Sequence, residues 1–164
     1  MLLNRNVTRM AMTQAVSLGV YLAVKFYLSL SPYTSFIALL MTVFVPLFVL
    51  VLQKRACTVV EEDTRITYWF AFRYGVALFF YATVLLAFSQ FVYFKYINPS
   101  YLQGVYAETM TVLEPYVTPE MMAELKANGG FSAMQMMFSS LALNSFCGVL
   151  ISLFTSAVMM AGRR

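Results

Sequence analysis

Long apolar runs alternate with short polar stretches along this chain, and four of the runs are long enough to cross a bilayer. The clearest covers residues 68–96. No charged side chain occurs between Tyr74 and Lys95. Lipid offers backbone N–H and C=O groups no partner, so a run of this kind satisfies itself as a helix. At 1.5 Å per residue it reaches roughly 43 Å, more than the hydrocarbon layer needs. It closes in an aromatic collar, Phe91, Tyr93, Phe94 and Tyr96, and stops at Asn98-Pro99. The other three runs cover residues 10–30, 34–52 and 133–161.

The polar punctuation fixes the rest of the organisation. Arg5 and Arg9 precede the first run. A secretory signal peptide has the same start, but Lys25 interrupts the apolar text and no small-x-small cleavage site precedes Ser31-Pro32, so an uncleaved span is expected. Ser31-Pro32-Tyr33 is a tight turn. Pro46 lies inside the second run, and Thr42, one turn earlier, is expected to help satisfy the backbone that the proline frees. Gln53 opens a polar linker that runs to Thr67 and carries Lys54, Arg55, Glu61-Glu62-Asp63 and Arg65.

Between the third and fourth runs the pattern turns amphipathic. Asn98 as cap and Pro99 in the first turn predict a helix to Glu114, with Leu102, Val105, Tyr106, Met110 and Leu113 on its apolar side. Pro115 ends it. Thr118-Pro119-Glu120 starts a second short helix, and Asn128-Gly129-Gly130 stops that one. Ser132 and Gln135 form a capping-box pair at the head of the last run. The expected fold is all-α: a four-helix transmembrane bundle, one domain over 1–164, with a short extracytoplasmic helical hairpin at 98–130. No internal repeat is convincing.

Composition supports a membrane protein. Hydrophobic residues make up 61% of the 164 and charged residues only 11%, against about 25% charged in a soluble domain. The net charge is +4, with basic residues near the ends of runs, a pattern for anionic headgroups and not for nucleic acid. Arg5, Arg9, Lys54, Arg55, Arg65, Arg73, Arg163 and Arg164 gather on one side of the expected topology, and Lys95 and Lys126, with Lys25 nearby, on the other. The excess of basic residues places both termini in the cytoplasm and the segment 97–131, with Glu108, Glu114, Glu120 and Glu124, outside.

Candidate chemistry is sparse. There is no histidine, which removes the commonest general base and metal ligand. Cys57, in the expected linker, and Cys147, deep in an apolar run, are poor disulfide partners. Met121-Met122 and Met134, Met136 and Met137 are soft donors, but gap-filling explains them more simply than Cu(I). The outer glutamates read as a solvated face, not a Ca²⁺ site. Lys25 and Arg73 lie in apolar text within about two turns of a span end, where snorkelling accounts for them. No span carries an acidic residue, which argues against a proton-coupled carrier. Gln14, Ser17, Gln90 and Asn144 are the polar residues that a path would use. Ala11, Ala15, Gly19 and Ala23 repeat every four residues, as do Ser140, Asn144, Gly148, Ser152 and Ser156. These stripes mark close-packing faces, and spans one and four are expected to meet along them, with Asn144 hydrogen-bonding across. No nucleophile–base pair, paired carboxylates or phosphate-cradling loop is present, so no catalytic, cofactor or metal residue is assigned.

The third run's end, "YFKYINPSYL", the acidic helical segment after it, and the last run, "GVLISLFTSAVMMAGRR", resemble the small bacterial four-span membrane proteins of domain-of-unknown-function family 4199. The resemblance extends over nearly the whole chain. It implies a bacterial inner-membrane protein of four helices and implies no activity. The expected role is a non-enzymatic interaction or structural module whose partners are the bilayer, another membrane protein or a second copy. The alternative is a small transporter or channel subunit acting as an oligomer. No cofactor is expected.

Overall fold

The computed structural model describes residues 5–60, 67–127, 130 and 132–161. Every regular element among them is helical: α1 (Arg5–Ser29), α2 (Ser35–Val60), α3 (Tyr68–Val92) continued by a π-helical turn (Tyr93–Ile97), α4 (Ser100–Leu113) with a 3₁₀ turn (Glu114–Tyr116), α5 (Pro119–Ala127) and α6 (Ala133–Ala161). Four of them hold stretches long and apolar enough to cross a membrane: Val7–Ser29, Ser35–Val59, Tyr68–Ile97 and Ala133–Ala161. The Glu61-Glu62-Asp63 run, Arg65, the Asn128-Gly129 stop and Arg163-Arg164 lie outside the described residues.

The chain forms two compact units, 1–86 with 141–164, and 87–140. The first has an apolar core that admits polar groups and an apolar outer surface as well. Small and polar side chains, Ala11, Ala15, Ala56, Ala71, Ala82, Gln53, Ser152 and Ser156, are buried beside larger ones, among them Leu18, Val49, Tyr74, Leu78 and Phe79. Many other large apolar side chains face outward, with Phe36, Val43 and Phe154 each about two-thirds exposed. In water such a surface would drive association; in lipid it is solvated.

Three expectations about this unit need correcting. The polar linker does not open at Gln53, because α2 continues to Val60. Lys54 and Arg55 are exposed while Gln53, Ala56 and Cys57 are buried, so the charges occupy one face of a helix whose other face is still core. The small-residue stripes do mark packing faces, but the glycines at their centres both face α3. A methyl group on Gly19 would lie 3.2 Å from the Ala82 carbonyl oxygen and 2.8 Å from Leu85, and one on Gly148 would lie 2.5 Å from the Phe79 ring. Hydrogen bonds also converge on α3: Tyr74 Oη donates to Gln14 Oε1 of α1 at 2.9 Å, Tyr68 Oη donates to the Leu153 carbonyl of α6 at 3.3 Å, and Thr83 and Ser145 of α6 pair at 3.3 Å.

Around Pro46 the expected helper acts differently. Thr42 Oγ1 turns back to the Ala38 carbonyl at 2.9 Å. Tyr21 of α1 instead donates to the carbonyl of Met41, the neighbour of the one Pro46 leaves without its usual donor, at 2.8 Å. The same ring stacks on Phe48 with centroids 5.2 Å apart.

In the second unit, the π turn is closed by Asn98 N–H donating to the Tyr93 carbonyl at 2.9 Å. It buries Phe94 and leaves Lys95 and Tyr96 exposed. Phe94 stacks on Tyr101 at 5.8 Å, and Tyr93 meets Tyr101 edge-on at 6.0 Å. Asn98 does not cap α4: its Oδ1 accepts from Ser100 Oγ at 2.9 Å, and Pro99 is the N-cap. The apolar side of α4 is as predicted, with Leu102 buried and Val105, Tyr106, Met110 and Leu113 half-buried. The capping box at α6 also forms, Ser132 N–H to Gln135 Oε1 at 3.0 Å and Gln135 N–H to Ser132 Oγ at 3.1 Å.

Replacing Gly148 by Val should destabilise the protein by about 1–3 kcal/mol, because the Phe79 ring must move. Gly104, with open space around it on an exposed stretch of α4, should accept Ala with a gain of about 0.5–1 kcal/mol. Thermal unfolding of the two variants in detergent checks both.

Candidate functional site

The polar centre of the first unit lies where α2, α3 and α6 meet, around Gly75. A methyl group there would run into the Gln53 amide and lie 2.7 Å from Ser152 Oγ. The missing side chain is therefore what admits two polar groups between three helices. Gln53 Nε2 donates to the Ala71 carbonyl of α3 at 3.1 Å and to Ser156 Oγ of α6 at 3.3 Å. Ser156 Oγ in turn donates to the Ser152 carbonyl at 2.6 Å. The Ala71 carbonyl fixes which end of the amide points toward α3. Gln53 Oε1 and Ser152 Oγ are buried with no partner among the described residues. One helical turn beyond Gln53, Cys57 Sγ sits 3.7 Å from Met159 Sδ, and both are buried together with Ala71.

The members of this cluster make neutral hydrogen bonds. Amide and hydroxyl groups gain and lose no proton near neutral pH, so the cluster binds helices to one another and relays no titratable charge. Among the described residues no group of three His, Cys, Asp or Glu side chains gathers as a metal site would require.

The residues singled out by sequence fall in several places. Gln14 is half-buried and accepts from Tyr74. Asn144 is half-buried on α6, and the α3–α6 hydroxyl pair is made by its neighbour Ser145. Lys25 is half-buried one turn before α1 ends. Arg73 is exposed in the second turn of α3, at a shallow hollow of about 400 Å³ floored by Val76, Ala77, Phe80 and Val149. In the second unit, Gln90 has a buried Oε1 without a partner among the described residues. Met122 is buried, whereas Met121 and Met134 are exposed. Neither Cys57 nor Cys147 is in a disulfide; the first is buried and the second exposed. The soft pair actually brought together, Cys57 with Met159, belongs to neither methionine cluster.

Sequence reasoning missed Gln53. A signal was available: Val45, Val49, Leu52, Gln53 and Ala56 continue one helical face across the supposed boundary. Lys54 and Arg55 hid it, because adjacent charges read as the end of a span.

The pattern of the family of proteins of unknown function DUF4199 matches residues 11–161. The chain belongs to that family. The match runs from Ala11 on α1 to Ala161 at the end of α6, so this DUF4199 protein carries the family pattern over all four apolar helices and the segment between α3 and α6. No curated protein and no solved structure matches it.

In this DUF4199 protein, Ser156→Ala should cost about 0.5–1.5 kcal/mol, since it removes a bonded hydroxyl. Ser152→Ala should be neutral or slightly stabilising, because the hydroxyl removed is buried and unsatisfied. Unfolding free energies of the two variants, measured in one detergent, check the contrast.

Proposed function

We propose that the protein is a non-enzymatic interaction or structural module of the bacterial inner membrane, with both termini in the cytoplasm. Its 97–131 segment faces outward and meets a partner protein, lipid or a second copy. One observation carries this reading: the polar groups at the centre of the first unit are neutral, and bond helix to helix around Gly75. Side chains committed to one another in this way hold a scaffold together. The orientation is supported by Lys54 and Arg55 near the end of α2 and Arg73 near the start of α3, on the same side as Arg9 at the start of α1.

A second reading, a small transporter or channel subunit working as an oligomer, is favoured by a different observation. Gln53 Oε1, Ser152 Oγ and Gln90 Oε1 are buried acceptors with capacity to spare, as groups lining a solute path would be.

A cysteine scan separates the two. Cys147 is exposed and neither cysteine is in a disulfide, so both are first replaced by Ala. Single cysteines at Gln14, Gln90 and Asn144 should then resist a membrane-impermeant thiol reagent; labelling at any of them overturns the scaffold reading in favour of transport. For orientation, a protease added to right-side-out cells or spheroplasts should cut near Thr118, and cutting there only from the cytosolic face reverses the topology.

A further inference from the structure

The third apolar stretch ends in a groove. It spans 30 residues, Tyr68–Ile97, roughly 45 Å of helix against a hydrocarbon layer of about 30 Å. Its last turn therefore stands at the level of the lipid headgroups. The final five residues form the π turn, whose extra residue drives Phe94 inward and leaves Lys95 at the surface. Between this turn, α4 and the start of α6 lies a concavity of about 360 Å³. Phe94, Leu102 and Ala133 give it an apolar side, and Lys95, Gln103 and Tyr106 a polar one.

Among the described residues, aromatic faces and no carboxylate hold the Lys95 ammonium. Its Nζ lies 5.2 Å from the Phe91 ring centroid and 5.4 Å from that of Tyr96. Aromatic faces fix an ammonium in place and leave its charge available to an anion. An amphipathic groove with a fixed cation at headgroup depth matches one kind of molecule, a lipid with an anionic head and apolar tails.

We propose that this groove binds a phospholipid with an anionic headgroup. Lys95 takes the phosphate, the Gln103 amide adds a hydrogen bond, and the glycerol and upper acyl carbons lie on Phe94, Leu102 and Ala133. The inference requires that α3 spans the membrane. It is independent of the role and the orientation proposed above, because either face of the membrane presents headgroups.

The test uses the full-length protein in detergent, titrated with phosphatidylglycerol or phosphatidylcholine and read by native mass spectrometry. The wild type should bind phosphatidylglycerol more tightly. Lys95→Gln should weaken that binding roughly fivefold, as expected for one lysine at an anionic lipid surface, and leave phosphatidylcholine unchanged. Lys95→Arg should retain the preference, and so should Lys54→Gln, which removes an exposed lysine of α2. Ala133→Phe fills the groove from its apolar side and should weaken phosphatidylglycerol binding with Lys95 intact. Equal binding of the two lipids overturns the proposal, as does an equal loss from Lys54→Gln, or an Ala133→Phe variant that binds like wild type. Competition by inorganic phosphate at concentrations matching the lipid assigns the groove to a free anion and overturns it too. Retention on gel filtration and helical circular dichroism confirm that each variant is folded.

Discussion

The first unit depends on how closely backbones can approach α3. In lipid, burying a methyl group between helices gains little, because the tails are as apolar as the side chains. Packing contacts and hydrogen bonds must supply the attraction instead, and both fall off steeply with distance. Gly19, Gly75 and Gly148 are the positions at which neighbouring helices come within reach of α3's backbone or side chains. The other features follow from that approach. Gln53 reaches the Ala71 carbonyl because Gly75 leaves its space open, and Phe79 and Leu85 of α3 pack where Gly148 and Gly19 leave theirs.

This arrangement explains why a bundle with so few charges tolerates polar groups at its centre. A buried amide costs several kcal/mol if it goes unpaired in an apolar medium. Gln53 offsets that cost by donating to two helices at once, and Ser156 closes the chain of bonds onto its own helix. The hydroxyl pair of Thr83 with Ser145 and the Tyr74–Gln14 contact repeat the device elsewhere along α3. Such bonds are directional, so they set the register of helices that greasy surfaces alone would allow to slide or rotate.

The second unit uses different physics. Its order comes from aromatic stacking of Tyr93, Phe94 and Tyr101 on the π turn, and from helix ends closed by local hydrogen bonds. These contacts form within short stretches of sequence and serve a segment with fewer buried side chains. The aromatic collar that ends the third span thus has two uses: it seats the helix at the interface, and it supplies the walls against which α4 begins.

What the sequence determined by itself is the set of features that depend on neighbours in the chain. Apolar runs, the turn at Ser31-Pro32, the amphipathic side of α4 and the Ser132–Gln135 capping box are governed by local composition and spacing, and four helices long enough to span follow from them. Only the tertiary structure decided which helix each small-residue stripe meets. A stripe records that something comes close and carries no label for its partner, so Gly19 and Gly148 gave no hint that both face α3. The same holds for Gln53: whether a polar residue beside two charges ends a helix or enters the core depends on what stands opposite, and here a glycine eighteen positions before Tyr93 stands opposite. The groove beside Lys95 was likewise invisible, since it is shaped by a π turn, α4 and the first turn of α6, which the linear text keeps apart.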